Sequence, residues 1–208
     1  MKTVILLGLA YFLGSIPSGV WIGKIFFKKD IRDYGSGNIG TTNTFRILGR
    51  PAGFVVFAMD LLKGTLATCL PLIFALPINP LWFGLVAVIG HTLPVFASFR
   101  GGKAVATSAG MLLGYNPVFF FYSLCFFLIV LFITSMVSAT SILAAIFVTL
   151  STILLPLVWP AILPEHDWLL TTICFLLSCY IIYRHKENIQ RIKKGTENRV
   201  SFGLNKKE

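Results

Sequence analysis

Charge is what this chain most conspicuously lacks. From Ala104 to Pro164 there is no Asp, Glu, Lys or Arg, so no solvated helix face can be drawn there and a water-soluble fold is excluded. Acidic residues are scarce everywhere: 8 Asp and Glu stand against 18 Lys and Arg, a formal net charge of +10. No cluster of carboxylates or of His and Cys ligands occurs, and Asp60 is too isolated to form one, so neither a metal nor another cofactor is expected. The 4 cysteines, Cys69, Cys125, Cys174 and Cys179, lie in apolar stretches without CxxC spacing. That argues against zinc and against a disulfide framework, and for small buried hydrophobes. A small-x-small cleavage site followed by a soluble domain is also missing. The N-terminal apolar run continues past Ser15, Pro17 and Ser18 to Phe27, and reads as a retained first span rather than a signal peptide.

What is present is apolar length. Hydrophobic residues make up 56% of the chain, above the share of an ordinary soluble domain, in runs that reach the ~20 residues needed to cross a bilayer as a helix. The expected fold is all-α, a polytopic transmembrane helix bundle forming a single domain over residues 1–208. All Lys and Arg except Lys2 fall between Lys24 and Lys103 or between Arg184 and Lys207, and the positive-inside rule puts those polar segments in the cytoplasm. The N-terminus is then outside, the C-terminus inside, and the number of crossings odd.

Spans are expected at Thr3 to Phe27, Pro51 to Leu76 and Leu81 to Phe99, with a basic loop at Lys28 to Arg50 and an external turn at Pro77 to Pro80. The uncharged stretch after Lys103 must end on the outside at Pro164 to Asp167, which permits one crossing or three. Breaks at Gly114 to Pro117 and at the Ser- and Thr-rich Ser135 to Ser141 favour three. Trp168 to Tyr183 closes the bundle. Seven spans result, with five as the main alternative. Residues 104–114 are too few for a full span at about 1.5 Å per residue, so that helix is short or half-buried. Ser15, Gly19 and Gly23, at i, i+4 and i+8, form a small-residue stripe suited to close packing.

Three polar segments hold the chemistry. The first is Gly35 to Asn43, followed by Arg46 and Arg50. It matches GxGxxG formally, yet a membrane span precedes it where a dinucleotide-binding fold needs a strand. Its physical content survives, because glycines let successive N–H groups face one anion while Ser, Asn and Thr add donors. The second, Arg100-Gly101-Gly102-Lys103, is not a Walker A motif: Ala104 follows the lysine where a metal-binding Ser or Thr is needed. Paired glycines and a lysine before a helix still suit phosphate. The third runs from Arg184 through His185, Asn188 and Arg191 to Gly195 and Glu197. If the last helix continues straight at about 100° per residue, Arg184, His185, Asn188 and Arg191 share one sector roughly 120° wide. Inside the spans, Asp60 and Lys63 stand three apart and are expected to pair as structural support, and His91 reads as a hydrogen-bonded packing residue.

Phosphate-suited segments on one side of a bundle point to a phosphorylated substrate, handled by an enzyme or by an anion transporter. The wording of the motifs decides between them. Gly14 to Gly19, Ser36 to Asn43, Gly101 to Thr107, and Arg184 to Ile189 with Arg191, Gly195 and Glu197 closely resemble the bacterial acyl-phosphate-dependent glycerol-3-phosphate acyltransferases, in order and over nearly the whole chain. Thr41 and Ala104 depart from the commoner alanine and glycine at those positions, without loss of a charged or hydroxyl-bearing group.

The resemblance implies a multi-pass enzyme of the bacterial cell (inner) membrane with its active site facing the cytoplasm. Such an enzyme transfers a fatty acyl group from acyl phosphate to the 1-hydroxyl of glycerol 3-phosphate. The products are lysophosphatidate and inorganic phosphate, at the first step of phospholipid synthesis. Ser36, Lys103 and His185 are the expected catalytic residues. Gly37, Asn38, Gly40, Thr42, Asn43, Arg46, Gly101, Gly102, Thr107, Ser141, Arg184, Asn188 and Arg191 are the expected substrate-binding residues. The proton acceptor is either His185 or the leaving phosphate itself. Partners are the two substrates, membrane lipid and an enzyme that supplies acyl phosphate; no nucleic acid is expected. The His-x4-Asp dyad of soluble-type glycerolipid acyltransferases is absent, since Phe96 lies five after His91 and Gln190 five after His185. A transporter of a phosphorylated or organic anion is the alternative, although no internal repeat is visible.

Overall fold

The computed structural model describes residues 1–206, in which every regular element is helical and no strand occurs. The chain divides into two compact units, residues 1–116 and the residues from Pro117 onward.

In the first unit, α1 (Lys2–Ser15) and α2 (Ser18–Phe27) are joined at Ile16-Pro17 with a bend of 49°. Proline removes a donor and restricts the residue before it, which is why the helix breaks there. The basic loop that follows carries an amphipathic α3 (Thr41–Leu48), separated by Gly49 at φ 87° from the long α4 (Arg50–Ile73). After the turn at residues 74–80 come α5 (Leu81–Thr92) and α6 (Val105–Tyr115). The return span expected to reach Phe99 ends instead at Thr92. Pro94 forbids continuation, and Ser98 and Phe99 adopt left-handed backbone.

Glycines set the packing of this unit. A Cβ on Gly14 would strike the carbonyl of Ala87 and one on Gly90 that of Tyr11, so α1 and α5 touch backbone to backbone. The same holds for Gly64 and Gly110 between α4 and α6, where Thr65 Oγ1 also donates to Gly110 O at 3.0 Å. Gly19 and Gly23 from the small-residue stripe receive the basic loop and its α3, packing on Ile39 O and Thr44 and on Lys29 O and Leu48 respectively. The apolar core gathers Leu6, Ala10, Ala67, Leu70, Phe83 and Ala87.

The second unit contains α7 (Pro117–Thr134), α8 (Val137–Val158), α9 (Trp168–Arg184) and α10 (Lys186–Lys193). The uncharged stretch thus folds as three helices, α6 to α8, broken at Asn116 and at Ser135-Met136. Ser138 to Ser141, expected in the second break, form the first turn of α8. Asp167 caps α9 by accepting from Leu170 N at 2.9 Å. Three helices, α4, α7 and α8, are long and apolar enough to cross a membrane, or five if each bent pair, α1 with α2 and α9 with α10, counts as one span. α5 and α6 are shorter.

Candidate functional site

The first unit presents two glycine-rich turns, each leading into a helix N-terminus. In the first, Gly35 and Gly37 have φ of 62° and 67°, a region only glycine enters without steric cost. Asn38 Oδ1 accepts from Gly40 N at 2.9 Å, and Ser36, Gly37 and Thr42 are exposed at the turn. Asn43 is the pin of this loop: Nδ2 donates to Ile31 O at 2.9 Å and to Tyr34 O at 3.1 Å, while Oδ1 accepts from Ser36 N at 3.0 Å. Its amide is fully committed to main chain. No side chain caps α3, whose N-cap is Gly40, so its first-turn N–H groups are oriented for an anion. Arg46 lies one turn further on and is exposed.

At the base of that loop, Asp30 takes a double contact from Arg32 at 2.9 and 2.6 Å and one from Lys24 at 3.1 Å. The Arg32 guanidinium above all, then its amide and Lys24, outweigh partial burial and hold the Asp30 carboxyl well below the usual range.

The second turn, Gly101-Gly102-Lys103, leads through Ala104 into α6. Ala104 is buried in left-handed backbone, φ 68° and ψ −7°. Ser108 N bonds to Ala104 O at 2.8 Å, which leaves the amides of Val105, Ala106 and Thr107 at the start of the helix without intrahelical acceptors. Thr107 is wholly buried. Beneath the turn, Asp60 and Lys63 pair at 2.7 Å as expected, both buried. Ser18 Oγ donates to Asp60 at 2.9 Å, and Lys63 donates to Ile16 O, at the break of the first span, at 2.9 Å.

The second unit gathers the third motif. The helix does not run straight: α9 and α10 meet at 58° with His185 at the bend. His185 N bonds both Ile181 O and Ile182 O, and the ring Nδ1 lies 2.8 Å from Ile181 O. The Ile181 carbonyl thus serves both the main chain and the ring at the bend. The expected common sector is therefore corrected. Arg184 stays on α9, its guanidinium on Tyr180 OH at 2.9 Å, while Asn188 and Arg191 belong to α10. Because a carbonyl can only accept, Nδ1 of His185 carries a hydrogen, so that in a neutral ring the lone pair would sit on Nε2.

Sequence reasoning placed Glu197 in the motif but gave it no role. Its Oε1 accepts from Asn188 Nδ2 at 2.7 Å and Ser138 Oγ at 2.9 Å, and Oε2 from Arg191 Nε at 2.8 Å. Burial, the largest influence, pushes the carboxyl up, but the bonds from Asn188, Ser138 and Arg191 together prevail and hold it below its ordinary value. The remaining expected residue, Ser141, is buried and donates to Val137 O at 2.8 Å. Beyond Glu197 the chain is tied to the α7–α8 turn by Val200 N to Ser135 O and Leu204 N to Phe132 O, both 2.8 Å.

The model of the glycerol-3-phosphate acyltransferase family matches residues 4–195. The chain belongs to that family. The glycerol-3-phosphate acyltransferase of Enterococcus faecalis is 66% identical over all of this chain and 96% of its own. That of Streptococcus sanguinis is 57% identical over 99% and 95%. Among solved structures, the chain is similar to PlsY (YgiH), an integral membrane glycerol 3-phosphate acyltransferase, in its glycerol 3-phosphate form. There the TM-score is 0.85 at 34% identity, covering 96% of each chain. The lysophosphatidic acid form of PlsY matches with a TM-score of 0.80.

Proposed function

We propose that this chain is a multi-pass enzyme of the bacterial cell membrane that moves a fatty acyl group from acyl phosphate to the 1-hydroxyl of glycerol 3-phosphate. The carrying observation is the pair of glycine-rich turns in the first unit, each opening onto uncapped helix amides with a cation beside it, in a chain of the glycerol-3-phosphate acyltransferase family. The solved PlsY forms, named for glycerol 3-phosphate and lysophosphatidic acid, support this acceptor and this product.

In the proposed reaction the acceptor hydroxyl attacks the acyl carbon, the carbon–oxygen bond to phosphate breaks, and inorganic phosphate leaves with lysophosphatidate as the other product. A mixed anhydride has a good leaving group, so the protein mainly orients the hydroxyl and neutralises phosphate charge. Ser36 and the amides from Gly37 to Gly40 cradle the donor phosphate, with Thr42 adding a hydroxyl and Asn38 and Asn43 holding the loop in shape. Lys103 supplies the cation on the Gly101-Gly102 turn, and Thr107 lines the same end of α6. In the second unit Arg184, His185, Asn188 and Arg191 are assigned to glycerol 3-phosphate and Ser141 to substrate binding, and Arg46 of the first unit is assigned to the same substrate. The hydroxyl proton goes to His185 Nε2 or directly to the departing phosphate. A single acyltransferase domain over residues 1–208 is the proposed organisation, and a family match that runs through both units supports it.

Seven crossings are proposed, by α1 with α2, α4, α5, α6, α7, α8 and α9, the N-terminus outside and the polar segments in the cytoplasm. The distribution of Lys and Arg supports this orientation. An acyl-phosphate-supplying enzyme is the implied partner.

The test is transfer by detergent-purified protein to labelled glycerol 3-phosphate, with palmitoyl phosphate, palmitoyl-CoA and palmitoyl-acyl carrier protein offered in parallel and EDTA present. Lysophosphatidate from the acyl phosphate alone is the expected result. Product from a thioester donor would overturn the donor assignment, and none from any donor with folded protein would favour anion transport.

A further inference from the structure

Gly101 and Gly102 are not glycine for conformational freedom, since neither has positive φ. Their small size answers to what lies beneath them. A Cβ on Gly101 would strike the carbonyls of His91 and Thr92, and one on Gly102 would strike His91 Nε2, with Cε1 at 2.8 Å and Cδ2 at 3.2 Å. Gly102 N also donates to His91 O at 3.2 Å. The imidazole is buried against the Cα of Gly102, directly beneath the turn that carries Lys103.

The other nitrogen of the ring faces the buried ion pair. His91 Nδ1 lies 3.8 Å from Asp60 Oδ1, and that same oxygen accepts from Lys63 Nζ and Ser18 Oγ. Lys63 in turn reaches Ile16 O at the break in the first span. Burying an ion pair in a span gains little stability over an apolar filling. Here the pair holds one carboxylate oxygen 3.8 Å from the imidazole, and the imidazole fills the space that a Cβ on Gly102 would need.

We propose that His91, packed between the buried Asp60 and the Cα of Gly102, is a positioning residue for the Gly101-Gly102-Lys103 turn, acting on donor binding through the placement of Lys103. The proposal rests on the acyltransferase reading for its kinetic consequence, but its structural consequence stands alone. Displacement of a charged group by an ångström is enough to lose orders of magnitude in rate or binding.

The experiment compares His91→Ala and His91→Gln with Val88→Ala, which hollows the same buried helix without touching the turn. For each purified protein, melting temperature, KM for palmitoyl phosphate and amide exchange over residues 99–104 are measured. His91→Ala is expected to raise KM at least about 10-fold more than Val88→Ala, and to speed exchange at the turn beyond anything Val88→Ala produces. His91→Gln, with a polar head of similar reach, is expected to recover part of both. A His91→Ala protein that matches Val88→Ala in KM and in exchange, differing only in melting temperature, overturns the proposal. If wild-type protein makes no product from any donor, the exchange comparison still decides the role of His91, and only the functional reading falls.

Discussion

Asn188 and Glu197 are joined by a 2.7 Å hydrogen bond from Nδ2 to Oε1, and the same carboxylate holds Ser138 and Arg191. One side chain thus ties the start of α8 and two residues of α10 to the segment that follows. Replacing Glu197 with Gln keeps the shape but turns an amide hydrogen toward at least one of these donors. Hydrogen bonds to a charged group contribute about 1.5–3 kcal/mol, so Glu197→Gln is expected to lower stability by that amount. KM for glycerol 3-phosphate should rise, read by thermal unfolding and by acceptor titration at saturating donor.

The same carboxylate predicts an acid sensitivity. Its folded pKa lies below the ordinary value of 4.5, so the folded state favours the ionised form. Its contribution to stability is complete above pH 4.5 and is lost as pH falls through the lower folded value. Exchange at residues 197–204 is expected to rise in that acidic window in wild type. A Glu197→Gln protein should show fast exchange there at every pH.

Asn43 makes a contrasting case beside Thr42. Removing its amide leaves Ser36 N without an acceptor and takes one of two bonds from each of Ile31 O and Tyr34 O, which keep Tyr34 N at 3.4 Å and Gly37 N at 3.0 Å, and Asn43→Ala is expected to cost about 1–3 kcal/mol. Asn43→Asp should do no better, because a carboxylate cannot donate to either carbonyl. Thr42→Ala, at an exposed neighbour, should stay within about 0.5 kcal/mol in a melting assay, its effect confined to KM for the donor.

Ala104 occupies left-handed backbone at φ 68°. That conformation costs a residue with a Cβ roughly 1–2 kcal/mol, partly offset in any glycine variant by the greater freedom of the unfolded chain. Ala104→Gly should therefore leave stability unchanged or raise it by less than about 1 kcal/mol. A β-branched residue is far less tolerant of positive φ, so Ala104→Val should lose at least about 1–2 kcal/mol and raise KM for the donor, as displacement of Lys103 requires.

Lys103→Ala and His185→Ala are each expected to lower turnover at least ~100-fold. Near-wild-type rates in either variant would remove that residue from the reaction. A pH–rate profile separates the two proton routes: an acidic limb that vanishes in His185→Gln marks the imidazole as acceptor, and one that persists marks the phosphate.

Much of this was legible in the chain because punctuation residues act locally. Asn116-Pro117 ends one helix and begins the next, Pro17 breaks the first span, and the Gly35 to Gly40 run forms the turn its glycines announce. Less legible was anything set by contacts distant in sequence. The straight-helix reading of Arg184 to Arg191 failed because the helix bends by 58° at His185, which periodicity does not register. Glu197 had no role on paper because its partner Ser138 is 59 positions away. Asn43 looked like a ligand-binding amide, while its hydrogens are committed to Ile31 and Tyr34. Gly102 looked like a phosphate glycine, and only coordinates reveal the imidazole beneath it.

α5 and α6, with 12 and 11 residues, each rise only roughly 16–18 Å, against about 30 Å of hydrocarbon. In the proposed seven-span arrangement residues 93–104, which join them, must therefore carry the rest of both crossings without α-helix. On that placement Lys103 belongs to an irregular stretch that is itself part of the span. A lipid-anchored donor would bring its phosphate to such a stretch with its tail still in the bilayer, while the small acceptor would arrive from water.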